Sequence, residues 1–135
     1  MKHRLKGQTL VEIIVVVGVI VVLTTALVIL TTYSLKNSRV SKLRSQAMKY
    51  AAEGMEYVRQ KRDTGWEQFQ ALDGSRCVGD GGSWDPSASC EKNVNNFFER
   101  KATFTWNETD NRMDVVVTVS WPEGETTLRS FFTRW

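Results

Sequence analysis

The chain has 135 residues, of which 41% are apolar, 18 basic and 15 acidic, for a formal net charge of +3. That length holds one small domain with an appendage and excludes a multidomain enzyme. The single histidine is His3 and the only cysteines are Cys77 and Cys90, so no histidine-based catalytic constellation is expected, and neither is a metal site or a cofactor.

These averages hide two different regions. Seventeen of the twenty-one residues in 10–30 are apolar. Charge is segregated as well. Lys2, Arg4 and Lys6 precede any acid, residues 36–62 carry eight basic side chains against Glu53 and Glu56, and residues 63–135 carry seven basic against twelve acidic. Such asymmetry points to contacts between molecules or with a membrane surface without choosing a partner.

In chain order, the first predicted element is a membrane-crossing helix. Residues 13–30 contain no charge and no proline. With Leu10 and Val11 they make about 20 residues, enough at about 1.5 Å per residue to cross about 30 Å of hydrocarbon. A removable secretory signal has a shorter apolar core and a small-residue cleavage site, which Thr31, Thr32, Tyr33 and Ser34 match poorly. Glu12 stands just inside this run. A carboxylate there is either a functional group awaiting a cation or a side chain snorkelling to the headgroups, and both readings are open on the residue alone.

The order Lys2-His3-Arg4-Leu5-Lys6-Gly7, then Gln8-Thr9-Leu10-Val11-Glu12, then the apolar run, resembles the class III signal of type IV pilins and pseudopilins. The resemblance covers about the first 30 residues and lies in both order and spacing. It implies a leader over residues 1–7, cleavage by a prepilin peptidase between Gly7 and Gln8, and N-methylation of the new Gln8 terminus. It further implies a polymerisation helix over 8–30 in which Glu12 meets a neighbouring subunit's terminal amine. The partners it implies are other pilin subunits, the peptidase and an inner-membrane assembly platform. The location it implies is a single-pass membrane protein with an extracytoplasmic head, assembled into a cell-surface filament. Two features depart from the pattern. Gln8 stands where the family mostly has Phe or another apolar residue, and no proline breaks the helix. A straighter helix is therefore expected, which favours a minor pilin or pseudopilin over a major one.

Beyond Leu30 the apolar residues Val40, Leu43, Ala47, Ala51, Met55 and Val58 recur three or four apart, the period of an amphipathic helix. This predicts a stalk over 31–62, stopped near Gly65, with its stripe covered by the C-terminal region. The segment from Ala51 to Arg59, followed by Arg62, Asp63 and Trp66, is also similar to pilin-like minor proteins, more loosely. The stalk's basic residues read as a solvated face or one meeting a neighbour's acidic head. Their alternative reading is non-specific contact with DNA phosphates.

Residues 63–101 are punctuated by Gly, Ser, Asp and Pro and read as a loop with a short helical turn near 67–72. Cys77 and Cys90 flank its glycine-rich part. A disulfide on the exported side suits them, with free thiols as the alternative. Residues 102–135 alternate as a three-stranded antiparallel meander over 102–107, 113–121 and 126–135. The first two strands turn Ala102, Phe104 and Trp106, and Met113, Val115, Val117, Val119 and Trp121, to one side. Phe131 and Phe132 leave the inward face of the third strand undecided. The stretch from Trp121 to Gly124 predicts a type I turn with a glycine bulge. Trp106, Trp121 and Trp135 are expected to pack at the core or its edge.

The expected fold is α+β, a long N-terminal helix against a small antiparallel sheet. The expected function is a structural subunit of a type IV pilus-like filament. A membrane-anchored surface module for adhesion or DNA capture that does not polymerise is the alternative.

Overall fold

The computed structural model describes residues 5–86 and 89–134, with side chains from Thr9 onward. The expected leader residues Lys2, His3 and Arg4, and the packing of Trp135, lie outside the described residues. The elements are α1 (Leu5–Thr64), α2 (Trp66–Gln70), β1 (Gly74–Val78), β2 (Trp84–Asp85), β3 (Glu99–Asn107), β4 (Arg112–Trp121) and β5 (Gly124–Phe132). The chain forms two units, Met1–Val40 and Ser41–Trp135.

In the first unit, α1 is apolar around its whole circumference, and its side chains from Leu10 to Leu30 are exposed. Four of its threonines close their hydroxyls onto the preceding turn. Thr24 donates to the Ile20 carbonyl at 2.9 Å, Thr25 to Val21 at 2.8 Å, Thr31 to Leu27 at 2.7 Å and Thr32 to Val28 at 2.9 Å. A hydroxyl satisfied by its own helix no longer needs water, so these residues are compatible with hydrocarbon. By length and composition α1 can cross a membrane.

In the second unit, residues 41–64 of α1 lie against an antiparallel sheet of order β2-β1-β3-β4-β5. From the predicted stripe, Ala47, Ala51, Met55 and Val58 are buried and Leu43 half-buried, whereas Val40 is exposed. Burial of the helix therefore begins at Leu43, later than the periodicity suggested. The sheet contributes Ala102 and Phe104 from β3 and Met113, Val115, Val117 and Val119 from β4, all at most 1% exposed. α2 drops Phe69 into the same core, edge-on to Phe104 and Phe132. Gly54 lets helix and sheet approach closely, because a Cβ there would stand 3.0 Å from Val117 Cγ1.

Three expectations are corrected. The sheet has five strands, since β1 and β2 arise within the segment read as loop. Gly74-Ser75-Arg76-Cys77-Val78 is too short and too polar to carry a strand period. It is held by four pairings to β3, from Gly74↔Phe104 to Cys77↔Lys101. Second, β3 starts at Glu99, three residues before the predicted boundary, which brings Arg100 onto the inward face. Third, the β4–β5 connection has no glycine bulge. Trp121 pairs directly with Gly124 across two turn residues, and Gly124 is not left-handed. Glycine suits that position because a Cβ would sit 3.1 Å from the Trp121 ring. The register of β5 also decides between its two phenylalanines. Phe132, opposite Met113, is buried, and Phe131, opposite Asp114, is exposed. Trp106 and Trp121 are half-buried against the core, as expected.

Candidate functional site

The residues singled out from the sequence fall at two places, one in each unit. Gly7 and Gln8 lie in the first turns of α1, and their side chains are outside the described residues. Glu12 follows Gln8 by four residues, one helical turn, so the two positions share a face of α1. Its side chain is exposed, and among the described residues no cationic group pairs with it. Leu10, Val11, Ile13 and Ile14 around it are all more than 60% exposed, so the carboxylate stands on an apolar surface that nothing among the described residues covers.

In the second unit, Cys77 and Cys90 form a disulfide with Cα atoms 5.3 Å apart. Cys77 shares its register with Lys101 and Thr118, so the bond lies on the sheet face opposite α1 and fastens the segment after β2 across it. Ser75 and Thr103 join hydroxyls at 2.9 Å on that same face. Asp80, Asp85 and Glu91 edge a shallow depression beside the disulfide. Among the described residues no group of three or more potential ligands could hold a metal ion. Asn107 is engaged within its own turn, accepting from the Asp110 N–H at 3.2 Å.

The sequence reading missed Arg100. It is fully buried, the only charged side chain in the core among the described residues. Its guanidinium reaches three main-chain carbonyls. Nε donates to Val78 O at 2.9 Å, Nη1 to Tyr50 O at 3.0 Å and Nη2 to Gly79 O at 2.7 Å. Nη1 also lies 3.5 Å from Glu53 Oε2, and the guanidinium carbon stands 5.2 Å from the centre of the Tyr57 ring. Tyr57 in turn donates its hydroxyl to Glu53 Oε1 at 2.7 Å. That hydrogen bond, then burial and the Glu53 charge, raise the Tyr57 phenol above its usual 10.0, while Arg100 opposes the rise. The Arg100 main chain is held as well, its N–H donating to Asn93 Oδ1 at 2.7 Å and its carbonyl accepting from Asn93 Nδ2 at 2.9 Å.

One planar cation thus joins α1, the end of β1, β3 and the segment leading into β3. Lysine, a point charge on a single stem, could not reach the same three carbonyls. Gly54 makes the room, because a Cβ at that position would come within 2.8 Å of Arg100 Cδ. The one sequence signal for this clamp was that glycine, which interrupts the buried stripe where alanine would favour the helix. The arrangement holds the head onto its helix.

Compared with protein-family models, curated proteins and solved structures, the chain has no match.

Proposed function

We propose that the chain is a structural subunit, of minor pilin or pseudopilin type, of a type IV pilus-like filament. The observation that carries this reading is the composition of α1. In sequence a basic leader, Gly7-Gln8 and Glu12 precede a run over 13–30 without charge, and the helix that holds this run continues to Thr64 against a disulfide-closed head. The Gly7–Gln8 bond lies within α1, and local unwinding there would present it to a peptidase as extended backbone. Glycine at the cut leaves the approach free of a side chain.

Cleavage creates an ammonium on Gln8 four residues, about 6 Å along the axis, from Glu12. Two opposite charges in an apolar layer lower each other's desolvation penalty. A subunit packed so that its amine meets a neighbour's Glu12 is therefore favoured over other registers. The leader would place Lys2, Arg4 and Lys6 in the same layer, so an unprocessed chain is kept out of the assembly. Removing residues 1–7 leaves 15 basic and 15 acidic side chains, a formal zero.

The test is the N-terminal mass of the chain expressed with a prepilin peptidase. The expected product begins at Gln8 and carries one methyl group, and Gly7→Leu prevents its formation. An intact Met1 terminus in the presence of an active peptidase, or normal maturation of the Gly7→Leu chain, overturns the reading.

A further inference from the structure

The two edges of the head's sheet are built differently. One edge is β2, two residues long and followed at once by Pro86, so it offers almost no template for another strand. The other edge is β5, nine residues long, and among the described residues no strand lies beyond it. β5 contains no proline and no lysine, and its register to β4 runs from Trp121↔Gly124 to Met113↔Phe132 without a bulge. Proline, lysine and a bulge, three of the devices that blunt a long edge, are thus absent from β5, and its two charges are of opposite sign.

Its side chains are also ordered in a way that suits one partner. A two-residue hairpin closes on a hydrogen-bonded pair, here Trp121 and Gly124, and such pairs then alternate along the ladder. The backbone N–H and C=O groups of Glu125, Thr127, Arg129 and Phe131 therefore face away from β4, towards the free edge. Glu125, Thr127 and Arg129 are exposed on the face opposite α1. The sequence Glu-Thr-Thr-Leu-Arg over residues 125–129 is charge-complementary to itself when reversed about Thr127. In an antiparallel pairing of two β5 strands centred there, Glu125 of each copy stands opposite Arg129 of the other, and the two Thr127 residues face each other. Opposite charges in directly opposed cross-strand positions are stabilising, and like charges destabilising.

We propose that β5 is an interaction edge whose partner is β5 of a second copy of this chain, joined about a two-fold axis at Thr127. The result is one sheet of ten strands, five from each head. A two-fold contact is closed, so it pairs two heads and does not by itself propagate a polymer. The inference rests on the head alone and is independent of the pilin reading.

The experiment uses the full chain in nanodiscs or detergent. At a hydrogen-bonded antiparallel pair the two Cα atoms are about 5.5 Å apart, within disulfide range. Thr127→Cys should therefore give a covalent dimer on mild oxidation. Thr105→Cys, exposed on the same face but on β3, should not. Either reversal alone, Glu125→Arg or Arg129→Glu, turns both cross-strand pairs repulsive and should reduce Thr127→Cys cross-linking by about tenfold. The combined Glu125→Arg/Arg129→Glu exchange should restore it. Restoration also excludes misfolding of the single variants as the cause. Equal cross-linking at residues 127 and 105, as helix-driven association would produce, overturns the proposal. So does cross-linking that ignores both single reversals, or an exchange that fails to rescue.

Discussion

The head and the apolar half of α1 each carry one charge-bearing side chain in an apolar setting, and the chain treats the two oppositely. Arg100 is enclosed by the head. Three carbonyls, a carboxylate and an aromatic face meet its guanidinium, so little of its charge is left uncompensated. Glu12 lies on bare α1, with apolar side chains around it and no cationic partner among the described residues. A charge compensated within the chain can stabilise only that chain's own fold. A charge left uncompensated inside an apolar stripe makes any partner that brings the opposite charge favourable, and so can select a neighbour.

The largest effect that would test this contrast is on assembly. Glu12→Leu should still be cleaved after Gly7, yet its share of sheared filament should fall by about tenfold or more. The melting of its head, followed by near-ultraviolet circular dichroism, should be unchanged. Wild-type amounts in the filament fraction would remove the role assigned to the carboxylate. Arg100→Ala should do the reverse, because it leaves three main-chain carbonyls without their donor and empties a fully buried site. It is expected to destabilise the head by about 3–5 kcal/mol in denaturant unfolding while leaving cleavage at Gly7 intact.

The disulfide should come next. Replacing Cys77 and Cys90 together by Ser frees a loop of 13 residues' separation and should lower head stability by about 3 kcal/mol. Mild reduction of the natural chain should reproduce the loss. The smallest effect is expected at Tyr57. Tyr57→Phe removes its hydrogen bond to Glu53 and should cost about 1 kcal/mol. It should also change the alkaline limb. The folded state holds the phenol proton more tightly than the unfolded chain, so this contribution is present below pH 10 and is lost as pH rises beyond it. The phenylalanine variant should lack that component of the alkaline decline.

Much of the architecture was legible because it is periodic. The apolar run, the stripe from Ala47 to Val58 and the alternation along residues 113–121 each repeat over several turns or pleats, and burial follows the last two while the first stays exposed. The elements that were missed lack such repetition. β1 is five residues and β2 two, and both exist because β3 supplies a ladder for β1, and β1 for β2. Arg100 was unreadable for a related reason. An arginine two residues ahead of an alternating segment reads as a solvated start, unless one knows that Gly54, Val78 and Gly79 converge on the same point. The glycine of the Trp121–Gly124 hairpin suggests backbone freedom in the sequence, whereas its lack of a side chain beside the indole is what counts in the fold.

By itself the sequence determined that residues 10–30 form an uncovered apolar helix with one carboxylate near its start. Composition and period are local properties that need no partner to be read. It determined in the same way which face of the stalk and which face of β4 turn inward. Only the tertiary structure decided that five strands form the sheet, that Phe132 faces the core and Phe131 solvent, and that a buried cation joins helix to sheet. Each of those depends on groups distant in sequence reaching one place, and hydrogen-bond geometry and excluded volume act only once they are there.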